Sequence, residues 1–475
     1  MTSVEHDELG LWLGSPLHGR SEQLAAVLEI VLQHLKQELP SELQAQEFAH
    51  LLMPDRPMEP KKEQYIWVRL TQLYHEVLEF LAWKRFESES ALKKVMVFEE
   101  VCRRNWERVI PETYEAGLKS LPLEEGAARF KGQLRMELPY SHYLAGKGFG
   151  KGGKHLDKIQ EALDGHFVLQ KLKYACAGVL EGEPCADPEQ DVLLNAALNF
   201  VRQRSLELPK AVLAYECAFR LLQIVTGATG DSKEIFQVFE ELFRQPEEFA
   251  TDEAMDLFVH GQNYCIMAYR QGDGEMLNAL VRLYESVLAS GVALEDGFMQ
   301  RQFFKNTVEL MCRIGRWEWA EDFVAKYKNR VAHDAEELSA LYCQAVVRFH
   351  QGDFRGVVRE LYNHVTKLDG LDTGVGARQL LCQALWEVEE FEWLRGSLAA
   401  FNQYLRRHEE IEPALRKRYL RFVNYFERAC EAMTSRPDRR GNKLSSLLDE
   451  INSNEASNSH LWMRKALLLA IERIG

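Results

Sequence analysis

With 475 residues, the chain is long enough for two to four ordinary domains, or for one continuous helical array that needs no single closed core. Its composition, 46% hydrophobic and 27% charged with 14 prolines, excludes disordered and fibrous classes, and a formal charge of −14 opposes a polyanion such as DNA as the general partner. Nine cysteines without a Cys-x-x-Cys pair read mostly as small core residues; with an acidic N-terminus and no apolar run near the ~18 residues that span a bilayer, they predict a protein of the reducing cytoplasm with no membrane segment.

Along the chain, apolar residues recur at helical steps and hardly anywhere alternate strictly, so the expected class is all-α. Residues 1–140 predict an N-terminal helical bundle: Trp12, Trp67, Trp83 and Trp106 fall on apolar faces, and Trp67, Leu70, Leu73, Tyr74, Val77, Leu78 and Leu81 form one stripe. Residues 141–154 are expected to be a loop or linker, because Ala145-Gly-Lys-Gly-Phe-Gly-Lys-Gly-Gly-Lys154 has a glycine density that a helix does not tolerate. Helices resume over 155–433, and 434–475 predicts a polar linker followed by a C-terminal helix near Leu461–Ile474. Helix starts are expected after Ser41, Asp187 and Asp231, each followed three residues later by Gln or Glu. Pro111, Pro139, Pro209 and Pro413 are expected to mark helix breaks or beginnings.

Trp317, Phe354 and Phe391 recur every 37 residues, inside the phrases Gly315-Arg-Trp-Glu-Trp-Ala-Glu, Gly352-Asp-Phe-Arg-Gly-Val-Val and Glu389-Glu-Phe-Glu-Trp-Leu-Arg. One turn phrase per period, with helical apolar spacing on both sides, predicts stacked helical hairpins with these three aromatic residues buried at equivalent turns. The units resemble tetratricopeptide repeats. Gly315, Trp317 and Ala320 match the turn phrase, whereas Val357 and Leu394 stand at the small position and Glu389 replaces a glycine; the small position of the first helix falls on Val308, Ala345 and Cys382.

The whole chain further resembles a family of helical-repeat proteins of Bacteroidota without an assigned activity. The residues that carry this are Trp12-Leu-Gly-Ser-Pro-Leu-His-Gly-Arg-Ser21, Phe48-Ala-His-Leu-Leu-Met-Pro54, Phe303-Phe-Lys-Asn-Thr307, Gly315-Arg-Trp-Glu-Trp-Ala-Glu-Asp-Phe-Val324 and Tyr404-Leu-Arg-Arg407. The resemblance implies an N-terminal helical region followed by a tetratricopeptide-like α-solenoid, and no reaction.

No catalytic, metal or cofactor residues are expected. Gly148-Phe-Gly-Lys-Gly-Gly-Lys154-His155 fits G-x-x-x-x-G-K, but His155 stands where a phosphate loop needs the hydroxyl that holds Mg²⁺, and the preceding residues lack the apolar run of a strand. A nucleotide-dependent enzyme is therefore the remote reading. His142, His155 and His166 read as exposed or loop histidines, with no partner at ligand spacing. Residues 404–443 hold eleven Lys plus Arg against six Asp plus Glu, which suits either an acidic partner or Arg stems laid over an apolar stripe of Leu415, Tyr419, Phe422, Val423 and Phe426. A short helix, turn and long helix over 41–83 gives the alternative function, a regulator that contacts nucleic acid, although the long helix mixes Glu63, Glu76 and Glu79 with Lys61, Lys62 and Arg69. The leading expectation is a non-enzymatic scaffold that binds a protein or peptide along the first helices of the repeats. The 37-residue step places Lys305, Glu309, Tyr342, Gln379 and Gln383 on that face.

Overall fold

The computed structural model describes residues 3–15, 22–36, 60–122, 126–148, 152–183, 186–295, 297–331, 336–368, 371–453 and 459–474. The class is all-α, with 21 α-helices among these residues and one two-stranded hairpin, β1 (Leu294–Glu295) and β2 (Phe298–Met299), antiparallel through Leu294 and Met299. The chain divides into two compact units, Met1–Lys171 with Leu206–Val212, and Leu172–Ser205 with Leu213–Gly475. The division falls inside a continuous helix, later than the glycine-rich stretch.

The first unit contains α1 (Ser3–Gly14), α2 (Glu22–Lys36), α3 (Pro60–Ser88), α4 (Ser90–Arg103), α5 (Ile110–Ser120), α6 (Ala127–Gly146) and most of α7 (Gly153–Glu181). Two clusters of apolar residues lie in it. Leu9, Trp12, Leu13, Leu24, Val27 and Leu28 meet Ile66, Leu73 and Phe80, and Val95, Phe98 and Val101 meet Ile110, Tyr114, Leu121 and Met136. The buried line of α3 is thus Ile66, Leu73 and Phe80, one heptad apart, with Leu70 and Val77 beside it. Trp67 is 57% exposed, and Tyr74, Leu78, Leu81, Trp83 and Trp106 are exposed too, so of the four expected indoles only Trp12 is buried, edge-on to Phe80 at 5.9 Å.

Several local expectations are corrected here. Pro139 lies inside α6 rather than at a break. The side chains around it are anchored: Arg135 holds Glu99 with two hydrogen bonds of 2.7 and 2.6 Å, and Tyr140 stacks on Tyr114 at 3.7 Å. These contacts hold the helix together across the missing N–H. Helix α6 reaches Gly146 and α7 begins at Gly153, so both ends of the expected 141–154 loop are helical. A side chain at Gly152 would lie 2.8 Å from the Ser141 carbonyl oxygen, which is why glycine stands there. Of the candidate phosphate loop, 149–151 lie outside the described residues, Lys154 is in the first turn of α7, and the preceding residues are helical. Ser41, the Phe48–Pro54 phrase and residues 41–59 of the 41–83 arrangement also lie outside them, while its long helix is α3.

The second unit continues through α8 (Val192–Arg204), all but the first three residues of α9 (Lys210–Val225), α10 (Ser232–Leu242), α11 (Thr251–Arg270), α12 (Glu275–Ser290), α13 (Arg301–Arg313), α14 (Trp317–Tyr327), α15 (Glu336–Gln351), α16 (Phe354–Tyr362), α17 (Leu371–Glu387), α18 (Phe391–Arg407), α19 (Pro413–Met433), α20 (Pro437–Ser453) and α21 (His460–Ile474). Asp191, not Asp187, caps α8 through the Leu194 amide at 2.9 Å, whereas Asp231 caps α10 as expected. From α13 onward each helix touches the next, and α13 touches α15 as α15 touches α17. Inside the expected polar linker, α20 buries Leu444, Leu447 and Ile451 and packs on α19 and α21. Three apolar side chains at steps of three and four suffice for one buried stripe in a polar sequence.

One geometric device recurs. Gly182, Gly227, Gly272, Gly315, Gly352 and Glu389 all have positive φ just beyond a helix, spaced 45, 45, 43, 37 and 37 residues apart. At each of the six, the residue's own amide bonds the carbonyl three back and the next amide bonds the carbonyl five before it, as in Gly352→Phe349 at 3.1 Å with Asp353→Arg348 at 2.9 Å, and Glu389→Trp386 with Glu390→Leu385, both at 3.0 Å. This Schellman arrangement satisfies carbonyls that a helix end leaves bare, and it needs a left-handed residue. Glycine takes it without strain. Cys265, Val308, Ala345 and Cys382, each seven residues before the left-handed position, are fully buried, as are Ala320, Val357 and Leu394 five residues after it.

Trp317, Phe354 and Phe391 each open the following helix. They are not buried as expected: Phe354 and Phe391 are half-buried and Trp317 is 38% exposed. Phe354 packs edge-on to Phe349 at 5.2 Å and Phe391 to Trp386 at 5.6 Å. The residue five before Trp317 is Cys312, too small to cover the indole.

Candidate partner-binding site

Counting back ten, six and two residues from the left-handed position defines one face on each first helix, because these steps of four nearly complete helical turns. The face carries Gln262, Ile266 and Arg270 on α11; Lys305, Glu309 and Arg313 on α13; Tyr342, Val346 and His350 on α15; and Gln379, Gln383 and Glu387 on α17. All five residues expected to meet a partner belong to it.

Most of that face is closed. Tyr342 is only 4% exposed, and its hydroxyl donates to Glu309 Oε1 at 2.7 Å. It comes that close to α17 because Gly376 has no side chain: a Cβ there would lie 2.5 Å from the Tyr342 oxygen. Gln383 is 5% exposed, and Gln379 donates to the Ser459 hydroxyl at the start of α21. Trp462 of α21 lies 6.3 Å from Phe349 and 5.4 Å from Phe426. Tyr342 and Gln379 are therefore engaged by neighbours within their own unit, and Gln383 is buried. Lys305 and Glu309 remain half-buried.

The accessible part lies one helix pair earlier. A cavity of about 210 Å³ opens between α11, α12 and α13, with Ile266, Met276, Leu277, Leu280 and Leu310 as apolar wall and Gln262, Tyr269, Arg270, Asn306, Glu309 and Arg313 as polar lining. Tyr284 orients Gln262 by donating to its Oε1 at 2.5 Å. Two larger depressions, about 590 Å³ between α10 and α12 and about 510 Å³ along α19, are shallower, and the first is crossed by the Arg282–Glu240 ion pair at 2.6 Å.

Charge distinguishes the cavity. Arg282, Arg316, Arg348, Arg428 and Arg473 each pair with a glutamate. Arg270 and Arg313 have neither an ion pair nor a hydrogen bond among the described residues. Burial, then the charges of Arg418 on α19 and of Arg313, pushes the Arg270 pKa down; burial and Arg313 likewise lower His350. Arg270 and Arg313, which share this lining without an ion pair to its one acid, Glu309, raise the local potential and favour an incoming anion.

Two polar clusters gave no sequence signal, because their members are far apart in the chain. Glu137, 1% exposed, accepts Tyr114 Oη at 2.8 Å and lies 2.5 Å from His155 Nδ1 and 3.4 Å from Lys158 Nζ. His155, expected to be exposed or in a loop, is thus a largely buried residue of α7; His142 and His166 are helical too. Burial, then Glu137, raises the Tyr114 pKa far above its ordinary value. In the second unit Lys173 pairs with Asp256, to which Tyr215 donates at 3.5 Å; His260 packs edge-on to Tyr215 at 6.2 Å and burial lowers its pKa to about 4. Among the described residues no group of three or more His, Cys, Asp or Glu is placed to hold a metal, and no helix is long and apolar enough to cross a membrane.

Several cations of residues 404–443 are used internally. Arg416 donates to the carbonyls of His408, Glu409 and Ile411, Arg440 to that of Ser435, and Arg428 forms two hydrogen bonds with Glu450. Phe422, Val423 and Phe426 of the expected stripe are buried, while Leu415 and Tyr419 are half-buried.

Comparison with protein-family models, with curated proteins and with solved structures finds no match.

Proposed function

We propose that this chain is a non-enzymatic interaction scaffold whose second unit is a tetratricopeptide-like α-solenoid and whose first-helix face receives a segment of a partner protein. The observation that carries the reading is the coincidence of two independent features. Left-handed helix ends repeat at 37 to 45 residues, and the accessible cavity lies on the face that this repeat brings into line. Stacked hairpins present such faces to peptides in extended or helical form. The resemblance to helical-repeat proteins points the same way.

The test is site-specific photocrosslinking in the native host, with a benzophenone amino acid at Asn306 in the cavity wall and, as control, at the exposed Val192. The scaffold reading expects one protein adduct at Asn306 that is absent at Val192. The same set of adducts at both positions, or none at Asn306, refutes it.

A further inference from the structure

We infer that the cavity between α11, α12 and α13 docks an acidic peptide segment, one carboxylate side chain of which enters and is gripped by the guanidinium groups of Arg270 and Arg313. The inference rests on the scaffold reading above and adds the chemistry of the partner.

Four observations converge. First, Arg270 and Arg313 are held at the same position of two successive repeats and line one cavity without an ion pair or hydrogen bond among the described residues. Guanidinium is the group best suited to two parallel bonds with a carboxylate. Second, the acid in the lining, Glu309, forms no ion pair with them. Its carboxylate accepts the Tyr342 hydroxyl at 2.7 Å. Third, the charge of Arg418 on α19 adds to that of Arg313 in lowering the Arg270 pKa, in line with the shared lining of Arg270 and Arg313. Fourth, about 210 Å³ is below the ~300–1,000 Å³ of ordinary small-ligand pockets and suits one side chain. The apolar wall then accepts the methylene stem of a glutamate or a flanking aliphatic residue.

Charge complementarity also selects against a nucleic acid. The chain as a whole carries −14, which repels a long phosphate backbone while leaving a local cationic cavity open to a short acidic segment.

The experiment uses the full chain and fluorescence anisotropy with three labelled probes: a twelve-residue peptide of alternating Glu and Leu, its Gln-for-Glu counterpart, and a DNA duplex of similar length; unlabelled inorganic phosphate serves as competitor. The Glu peptide should bind, weaken steeply with added salt, and lose about tenfold or more in affinity in Arg270→Ala and in Arg313→Ala. Arg270→Lys should recover part of that loss, since the charge returns without the planar fork. Thermal melts of each variant separate lost binding from lost folding, and Arg282→Ala, outside the cavity, should bind as the parent does. Any one of four results overturns the proposal: no binding of the Glu peptide up to about 1 mM, equal binding of the Gln peptide, unchanged affinity in the folded arginine variants, or tighter binding of DNA through the same two arginines. Competition by phosphate at concentrations comparable to the peptide's own would instead assign a free-anion site and also overturn it. A crosslinked protein partner at Asn306 whose capture survives Arg270→Ala and Arg313→Ala would leave the scaffold standing while removing the acidic-segment assignment.

Discussion

Glu389 stands where Gly272, Gly315 and Gly352 stand, with φ of 61° against 106°, 81° and 84°. A left-handed conformation brings Cβ against the following carbonyl and costs an L-residue roughly 1–2 kcal/mol. Glycine avoids this, but its greater freedom in the unfolded chain offsets roughly 0.5–1 kcal/mol. Glu389→Gly also removes a 3.0 Å ion pair with Arg473 whose side chains are both more than half exposed, a contribution of about 0–1 kcal/mol that solvent largely screens. The net expectation is a gain of about 0.5 kcal/mol. At Gly352 nothing lies within 4 Å of an added Cβ, so Gly352→Ala isolates the backbone effect and should destabilise by about 1 kcal/mol. Urea unfolding followed by far-UV circular dichroism measures both, and amide exchange of α17 and α18 shows whether the change is local, as expected for repeats that contact mainly their neighbours. A stabilising Gly352→Ala, or a Glu389→Gly that loses more than about 1 kcal/mol, would refute the shared left-handed turn.

Three further outcomes follow from buried polar groups. Glu137→Gln takes the charge from the acceptor of Tyr114, His155 and Lys158 and should cost about 2–4 kcal/mol in chemical denaturation; a loss under about 1 kcal/mol would mean that the network contributes little. Burial holds His260 neutral down to pH about 4, below its unfolded value near 6.5. The unfolded chain therefore binds the proton first on acidification. Stability is fully present above pH 6.5 and falls by about 3 kcal/mol toward pH 4, and His260→Gln should remove that increment from the stability profile; an unchanged slope in the variant would contradict it. Tyr342→Phe deletes the donor to Glu309 and should cost about 1–2 kcal/mol, whereas a surface tyrosine would cost almost nothing.

What the sequence determined by itself was local. Helical spacing of apolar residues fixes the all-α class, and the recurrence of Gly315, Gly352 and Glu389 at 37 residues marks helix ends, because only certain residues tolerate the left-handed turn there. Gly182, Gly227 and Gly272 make similar turns, but no aromatic residue follows two positions later and the spacing is longer, so no phrase announces them. Tertiary structure alone decided which faces are covered. Tyr342, Gln379 and Gln383 have the polarity of an accessible face, yet Gly376 lets α17 close over Tyr342, and α21 brings Ser459 to Gln379. Conversely, nothing in the spacing of Arg270 and Arg313 shows that the two cations line one cavity. Burial and electrostatic potential depend on neighbours far apart in the chain, and only folding brings those neighbours together.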